Sequence, residues 1–275
     1  MQEKGNQVGT PRWRNWAGNH ACDVRALATP GSVDAVRDLV SATAARGGRL
    51  RVAGSGHSFT PLVVTDDTVV DLGALATGEV VVDASAARAR VPAAMRLRDI
   101  GPALWREGFA IANQGDVDVQ TLAGALSTGT KGSGVDHGTM SSRVTGLTLV
   151  DGRGDLVRIG EDRPDLLAAA QVSLGLLGVV VEAELSVVPR YVLREQNAIM
   201  SVDRLTRDWA DLKAGFHHFS FWWMPTGTSS AIYGLPEVPA DHAYVKLLTA
   251  EPAEADAPLK GDVGSRTGPA HLVYP

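Results

Sequence analysis

The chain has 275 residues, of which 44% are apolar and 5% aromatic, and a formal net charge of −5. That length suits one large domain or two, with a core mostly of Val, Leu and Ala. Acids and bases are interspersed, so no basic block presents a nucleic-acid surface. The longest apolar runs, "VVTDDTVVDL" and "LGLLGVVVEAEL", are interrupted by charge and too short to span a bilayer. Met1 to Pro11 holds no apolar stretch of the signal-peptide kind. Cys22 is the only cysteine, which rules out an internal disulfide and makes a reducing cytoplasm the expected compartment.

The first clear element is "TPGSVDAVRDLVSATAARGG". Ser32 is placed to cap a helix, Asp34 sits in its first turn, and Val33, Val36, Leu39, Val40 and Thr43 recur at helical spacing before Gly47-Gly48 stops it. Short strands are predicted over 49–54, 68–73, 79–85 and 88–92, the last two forming a hairpin. A helix is predicted over 97–108 with Asp99 as its cap, which places Pro102 in the first turn. "VTGLTLVDGRGDLVRI" (144–159) reads as a hairpin turning at Asp-Gly. A helix over 163–175 and a β-branched strand over 179–189 follow. After Pro189 the texture changes. In "FHHFSFWWMP", Phe219, Phe221 and Trp223 alternate with Ser220, Trp222 and Met224, the pattern of a strand with one face in a core or cleft. The tail from Ala250 is rich in Pro, Gly and charge, and a domain boundary is expected near Arg190.

Three glycine motifs fail on inspection. Gly54-x-Gly56 would need glycine at 59 to be a dinucleotide fingerprint, and Phe59 stands there. Gly56-His57-Ser58-Phe59-Thr60 lacks the last glycine of a nucleophile elbow. Lys131 is followed by Gly132, not Ser or Thr, so "GTKGSG" is no Walker loop. What remains is two bare loops, 53–59 and 121–134, where backbone N–H groups meet no Cβ barrier to phosphate oxygens. A third cluster lies at Gly175-Leu-Leu-Gly178. Such spacing suits a long ligand with a diphosphate and a flat ring; the alternative is that each loop is only a tight turn.

"NWAGN" (15–19), "RVAGSGHSF" (51–59), "GDVDVQTLAGALSTGTKGSG" (115–134) and "SLGLLGVVVEAELSVVP" (173–189) occur in this order. Together they resemble the FAD-linked oxidases of the vanillyl-alcohol-oxidase superfamily, nearest in look to the sugar-lactone (gulonolactone and arabinonolactone) oxidases and the alditol oxidases. The resemblance implies an α+β fold: a two-part FAD-binding domain over residues 1–190, then a substrate domain of antiparallel-sheet type that begins at 191 and is incomplete at 275. It implies FAD held by Ala53, Gly54, Ser55, Gly56, His57, Ser58 and Phe59, by Asp116, Thr121, Gly124, Ala125, Ser127, Thr128, Gly129 and Thr130, and by Gly178 and Val179. His57 matches the family's flavinylated histidine, whose neutral ring nitrogen is a nucleophile and whose tether raises the flavin potential; the alternative, as in relatives without the tether, is a hydrogen-bonding loop residue beside non-covalent FAD. "GDVD" resembles the lactone-oxidase branch more than the alditol-oxidase branch.

The implied reaction passes hydride from a CH–OH carbon of a gulono- or arabinono-1,4-lactone, or another polyol, to the flavin and then to O2 or an electron carrier. The catalytic base and substrate clamp are expected beyond Pro275. Alternatives are an alditol oxidase, a truncated flavin-binding remnant without turnover, and a reductase of nucleotide-sugars of the enolpyruvyl type. Lys131 stands where many relatives carry histidine; it is either a cation near phosphate or flavin, or a solvent-facing side chain. No metal is expected. His137, His217, His218 and Cys22 lack ligand spacing, and a strand would send His217 and His218 to opposite faces.

Overall fold

The computed structural model describes residues 10–254 apart from Tyr233. Residues of the Pro/Gly-rich tail from 255 onward, including Arg266 and His271, lie outside them. The architecture is α+β, with three main sheets.

The first sheet is parallel, with Thr68–Asp71 between Ala26–Ala28 and Leu50–Ala53. Helix α1 (Val33–Ala45) makes the crossover, and Ser32 caps it by accepting the Ala35 N–H. Its stripe of Val36 and Val40 packs with Val70, Leu72, Val150 and Val179. Burying an aliphatic side chain of this kind contributes about 1.5–3 kcal/mol. The same helix ties down the 151–155 turn, with Arg37 Nε donating to the Gly154 carbonyl and Ser41 Oγ to that of Arg153.

The second sheet has five antiparallel strands in the order Leu156–Gly160, Val144–Val150, Val179–Ser186, Arg88–Pro92, Val81–Asp83. Both expected hairpins form. At their turns the Asp83 carboxylate accepts the Ser85 and Ala86 N–H groups, and the Asp151 carboxylate those of Arg153 and Asp155. Helices α2 (Leu97–Arg106), α3 (Leu122–Ser127) and α4 (Pro164–Gln171) bury Leu97, Ile100, Leu104, Leu122 and Leu167 against this sheet.

Two boundaries differ from expectation. Helix α2 begins before Asp99, with Arg96 at its N-cap and no side-chain cap. Its free N-terminal amides are satisfied from a distance instead: Leu97 N–H donates to the Gln120 carbonyl and Arg98 N–H to that of Asp118, both at 3.0 Å. Pro102 therefore lies inside the helix, where its ring removes one backbone bond. Helix α4 stops at Gln171, not Gly175. The chain turns through left-handed φ values at Leu174 (52°) and Gly175 (76°), and these carry Leu174, Gly175, Leu176 and Gly178 to one common cleft.

The third sheet begins at Tyr191. Its order is Tyr191–Ser201, His242–Pro252, His218–Met224, all antiparallel. The aromatic strand 218–224 is thus paired along its length with a later strand, and only its outer edge lacks a strand among the described residues. One face packs under the short helices Val202–Arg207 and Trp209–Gly215 through Met200, Leu205, Leu212, Ala243, Val245 and Phe219. The other face carries His218, Met224, Lys246 and Leu248, all buried. No helix among the described residues is long and apolar enough to cross a membrane.

Candidate functional site

The strand Leu50–Ala53 delivers the chain into the first bare loop. Gly56 takes φ +69°, a left-handed value that glycine adopts without strain. The "NWAGN" segment clamps this loop. Trp16 N–H donates to the Gly56 carbonyl, Asn15 Nδ2 to that of Ser58, and Asn19 Nδ2 to that of Phe59. The indole of Trp16 lies over the His57 imidazole, with centroids 4.7 Å apart and planes 15° from parallel. So the histidine is held by a stacked partner as well as by its backbone.

The second loop abuts the first. A Cβ on Gly54 would lie 2.5 Å from Thr121 Oγ1, so only glycine permits this approach. Ser55 Oγ donates to the Val119 carbonyl. Thr121 caps α3 by accepting the Gly124 N–H. The third cluster closes the far side. Gly178 has φ +144°, and a Cβ there would meet the Val150 carbonyl oxygen at 2.3 Å.

These three stretches enclose one cleft of about 350 Å³, within the usual range for small-molecule sites. Its walls include Ala53, Gly54, Ser55, Gly56, His57 and Ser58 from the first loop. Thr121, Gly124, Ser127 and Thr128 come from the second, and Gly178 and Val179 from the third. Five expected contacts stand elsewhere. Ala125 is fully buried in the core under the second sheet, and Phe59 is 68% exposed. Gly129 turns the chain at φ +67°, and Thr130 accepts a hydrogen bond from Gln120 Nε2. Asp116 faces the third sheet. Water reaches it, but the protein around it raises its carboxyl pKa, while the Lys246 ammonium opposes that shift. Lys246 is buried and pairs with Glu195 at 3.1 Å. Nearby in sequence, Asn113 is buried with both side-chain polar atoms unpartnered.

Lys131 neither meets the cleft nor simply extends into solvent; it curls back, donating to the Gly132 and Gly134 carbonyls. The histidines overturn the expected geometry. His217 precedes the strand that starts at His218, so strand alternation does not separate them. His137 joins them from the 131–139 loop, and one ring nitrogen of each lies within 4.8 Å of the others. Burial holds the His218 pKa down at about 4, against a carbonyl bond from Ser133 that raises it; burial also lowers those of His137 and His217.

Residues 24–160 match the family model of the FAD binding domain, and residues 183–245 match that of D-arabinono-1,4-lactone oxidase. The chain carries an FAD-binding domain of the sugar-lactone oxidase and dehydrogenase family. It is 35% identical over 216 residues to an L-gulono-1,4-lactone dehydrogenase of Mycobacterium tuberculosis, a match over 78% of this chain and 50% of that protein. It is 32% identical over 230 residues to a D-arabinono-1,4-lactone oxidase of Kluyveromyces lactis, covering 80% of this chain and 43% of the relative. The chain spans about half the length of the curated relatives it matches. A solved structure of a solvent-stable cholesterol oxidase superposes with TM-score 0.73 at 19% identity, over 88% of this chain and 48% of that one, a likeness of fold.

The cleft of this FAD-binding domain has room for backbone-held FAD. The first two loops touch only because Gly54 is bare, and the third approaches Val150 only because Gly178 is. The rim adds Leu174 and Leu176, the latter 74% exposed, as apolar surface for a flat ring. Sequence reasoning quoted the block that holds these leucines without assigning them. The "NWAGN" motif likewise gave no sign that this segment clamps the His57 loop. The signal in both cases was membership of an ordered motif, not residue chemistry.

Proposed function

We propose that this chain supplies the FAD-binding half, and the start of the substrate side, of a sugar-lactone oxidoreductase. The donor would be the CH–OH group of a gulono- or arabinono-1,4-lactone, and the acceptor O2 or an electron carrier. The observation that supports it best is the shared cleft, in which the His57 loop, the Thr121–Thr128 stretch and Gly178–Val179 form one wall system. The relatives' printed activities support the substrate class.

When bound, FAD supplies a two-electron acceptor. The chain's own residues do the rest. Bare backbone at 54–56 would hold the diphosphate through N–H groups. His57, squared up by Trp16, would tether the ring through a neutral ring nitrogen. Gly178 would let Val179 approach the adenine. The polar inner face of the third sheet, with Lys246 paired to Glu195, is the part of the substrate side this chain contains. The half-buried Cys22 supports a reducing, cytoplasmic setting.

Purified protein supplemented with FAD should show flavin absorbance, and should reduce an acceptor dye with these lactones when the chain is extended to the length of its relatives. Flavin binding with no lactone or polyol turnover in the extended protein would favour a non-catalytic remnant. Faster turnover with open-chain alditols would favour an alditol oxidase. Absence of flavin binding would sink the reading altogether.

A further inference from the structure

We propose that His137, His217 and His218 bind a divalent transition metal of the zinc class at the junction of the 131–139 loop and the third sheet. None of the three lines the cofactor cleft, so the site is separate from the flavin reading and stands without it.

The donor geometry is the first support. One nitrogen from each ring lies within 4.8 Å of the other two. The ring centroids are 4.4 Å (His137–His217), 5.2 Å (His137–His218) and 4.6 Å (His217–His218) apart. Zinc–nitrogen bonds of about 2.0–2.1 Å with tetrahedral angles put donor atoms about 3.4 Å apart, so small side-chain rotations complete the arrangement. Three imidazoles suit zinc, copper, nickel or iron, and not calcium or magnesium, which take oxygen.

Orientation is the second. His218 Nδ1 lies 2.8 Å from the Ser133 carbonyl oxygen, which only accepts. The proton of the neutral ring is therefore on Nδ1, and the Nε2 lone pair is left for a metal. Metal-binding histidines are held in this way by a carbonyl on the other nitrogen. The third support is His217, whose Nδ1 is buried and has no hydrogen-bond partner. An orphaned buried nitrogen is costly unless something satisfies it.

The loop is shaped for this contact. Gly134 has φ +101°, and a Cβ there would come within 2.5 Å of His137 Cδ2 and 3.3 Å of His218 Nδ1. Charge is mixed. The Lys131 and Arg143 cations oppose a metal ion and the Asp136 carboxylate favours one; Lys131 is turned onto the Gly132 and Gly134 carbonyls.

The test is calorimetric titration of untagged, chelator-dialysed protein with Zn2+, repeated with Co2+ while recording its visible spectrum. One equivalent should bind with micromolar or tighter affinity, and Co2+ should give the intense bands of a tetrahedral nitrogen site. His137→Ala and His217→Ala should each weaken binding at least about tenfold, with circular dichroism confirming the fold. Should either misfold, the milder His137→Asn carries the test. Lys131→Met should tighten binding, and His242→Ala should leave it unchanged. No saturable binding, an unchanged affinity in the His137 and His217 variants, or only the spectrum of hydrated Co2+ would overturn the proposal.

Discussion

The cofactor cleft and the inner face of the third sheet are neighbouring parts of one molecule built on opposite plans. The cleft is defined by what side chains leave out: Gly54 and Gly178 stand where a Cβ would collide. The inner face is defined by what side chains bring in. His218 and Lys246 are buried there, Glu195 pairs with Lys246, and the Lys246 charge also reaches Asp116. A cofactor held by backbone needs close approach; a reaction on a sugar needs charges and proton acceptors. The difference also separates stability from function, because α2, α3 and α4 pack into the core of the second sheet while the third sheet is covered on its outer face by two short helices.

Substitutions sharpen that contrast. Ile100→Ala, fully buried in the core that also holds α3, should cost about 4 kcal/mol of unfolding free energy, read by denaturant titration. A loss below about 1 kcal/mol would mean this core does not carry the stability of the second sheet.

The inner face should answer to acid. The His218 pKa is held near 4 in the fold, against about 6.5 in an unfolded chain. The unfolded state then takes the proton first, so stability is complete above about pH 6.5 and falls as pH drops toward 4. The expected loss is roughly 3 kcal/mol, measured in chelator-treated buffer. His137 and His217 act in the same direction, whereas Asp67, its carboxyl pKa lowered chiefly by the Arg46 hydrogen bond, contributes only at lower pH. A profile flat between pH 6.5 and 4 would contradict the burial of this imidazole.

Gly178→Ala should cost about 2 kcal/mol through its φ of +144° and weaken FAD binding more than it lowers stability, because Val150 or the third cluster must move. Equal FAD affinity in the variant would detach that cluster from the site. The smallest effect belongs to Trp223, 55% exposed at the rim of the third sheet; Trp223→Ser should change stability by less than about 0.5 kcal/mol.

The parts legible in the sequence are those whose causes are local. Ser32, Asp34 and a valine stripe announced α1, and the Asp-Gly turn announced the 144–159 hairpin, while the hairpin of 79–92 was read from its two strands. The start of α2 was misread because its cap is remote: carbonyls of Asp118 and Gln120, not the Asp99 carboxylate, receive the first amides. The cleft was legible as an ordered set of glycine motifs, though these do not reveal that Ala125 turns into the core. The histidine cluster was invisible because His137 and His217 meet only through packing of a loop on a distant strand. A one-residue offset at the strand start also removed the alternation that argued against it.

The central claim is that His57 and the glycine loops grip one flavin. The direct measurement is acid precipitation of the FAD-loaded protein, followed by fluorescence of the washed pellet, for wild type and His57→Ala. Flavin retained in the wild-type pellet and released to the supernatant by His57→Ala is the expected result. Pellet fluorescence undiminished in His57→Ala, or no flavin in either fraction of the wild type, would contradict it.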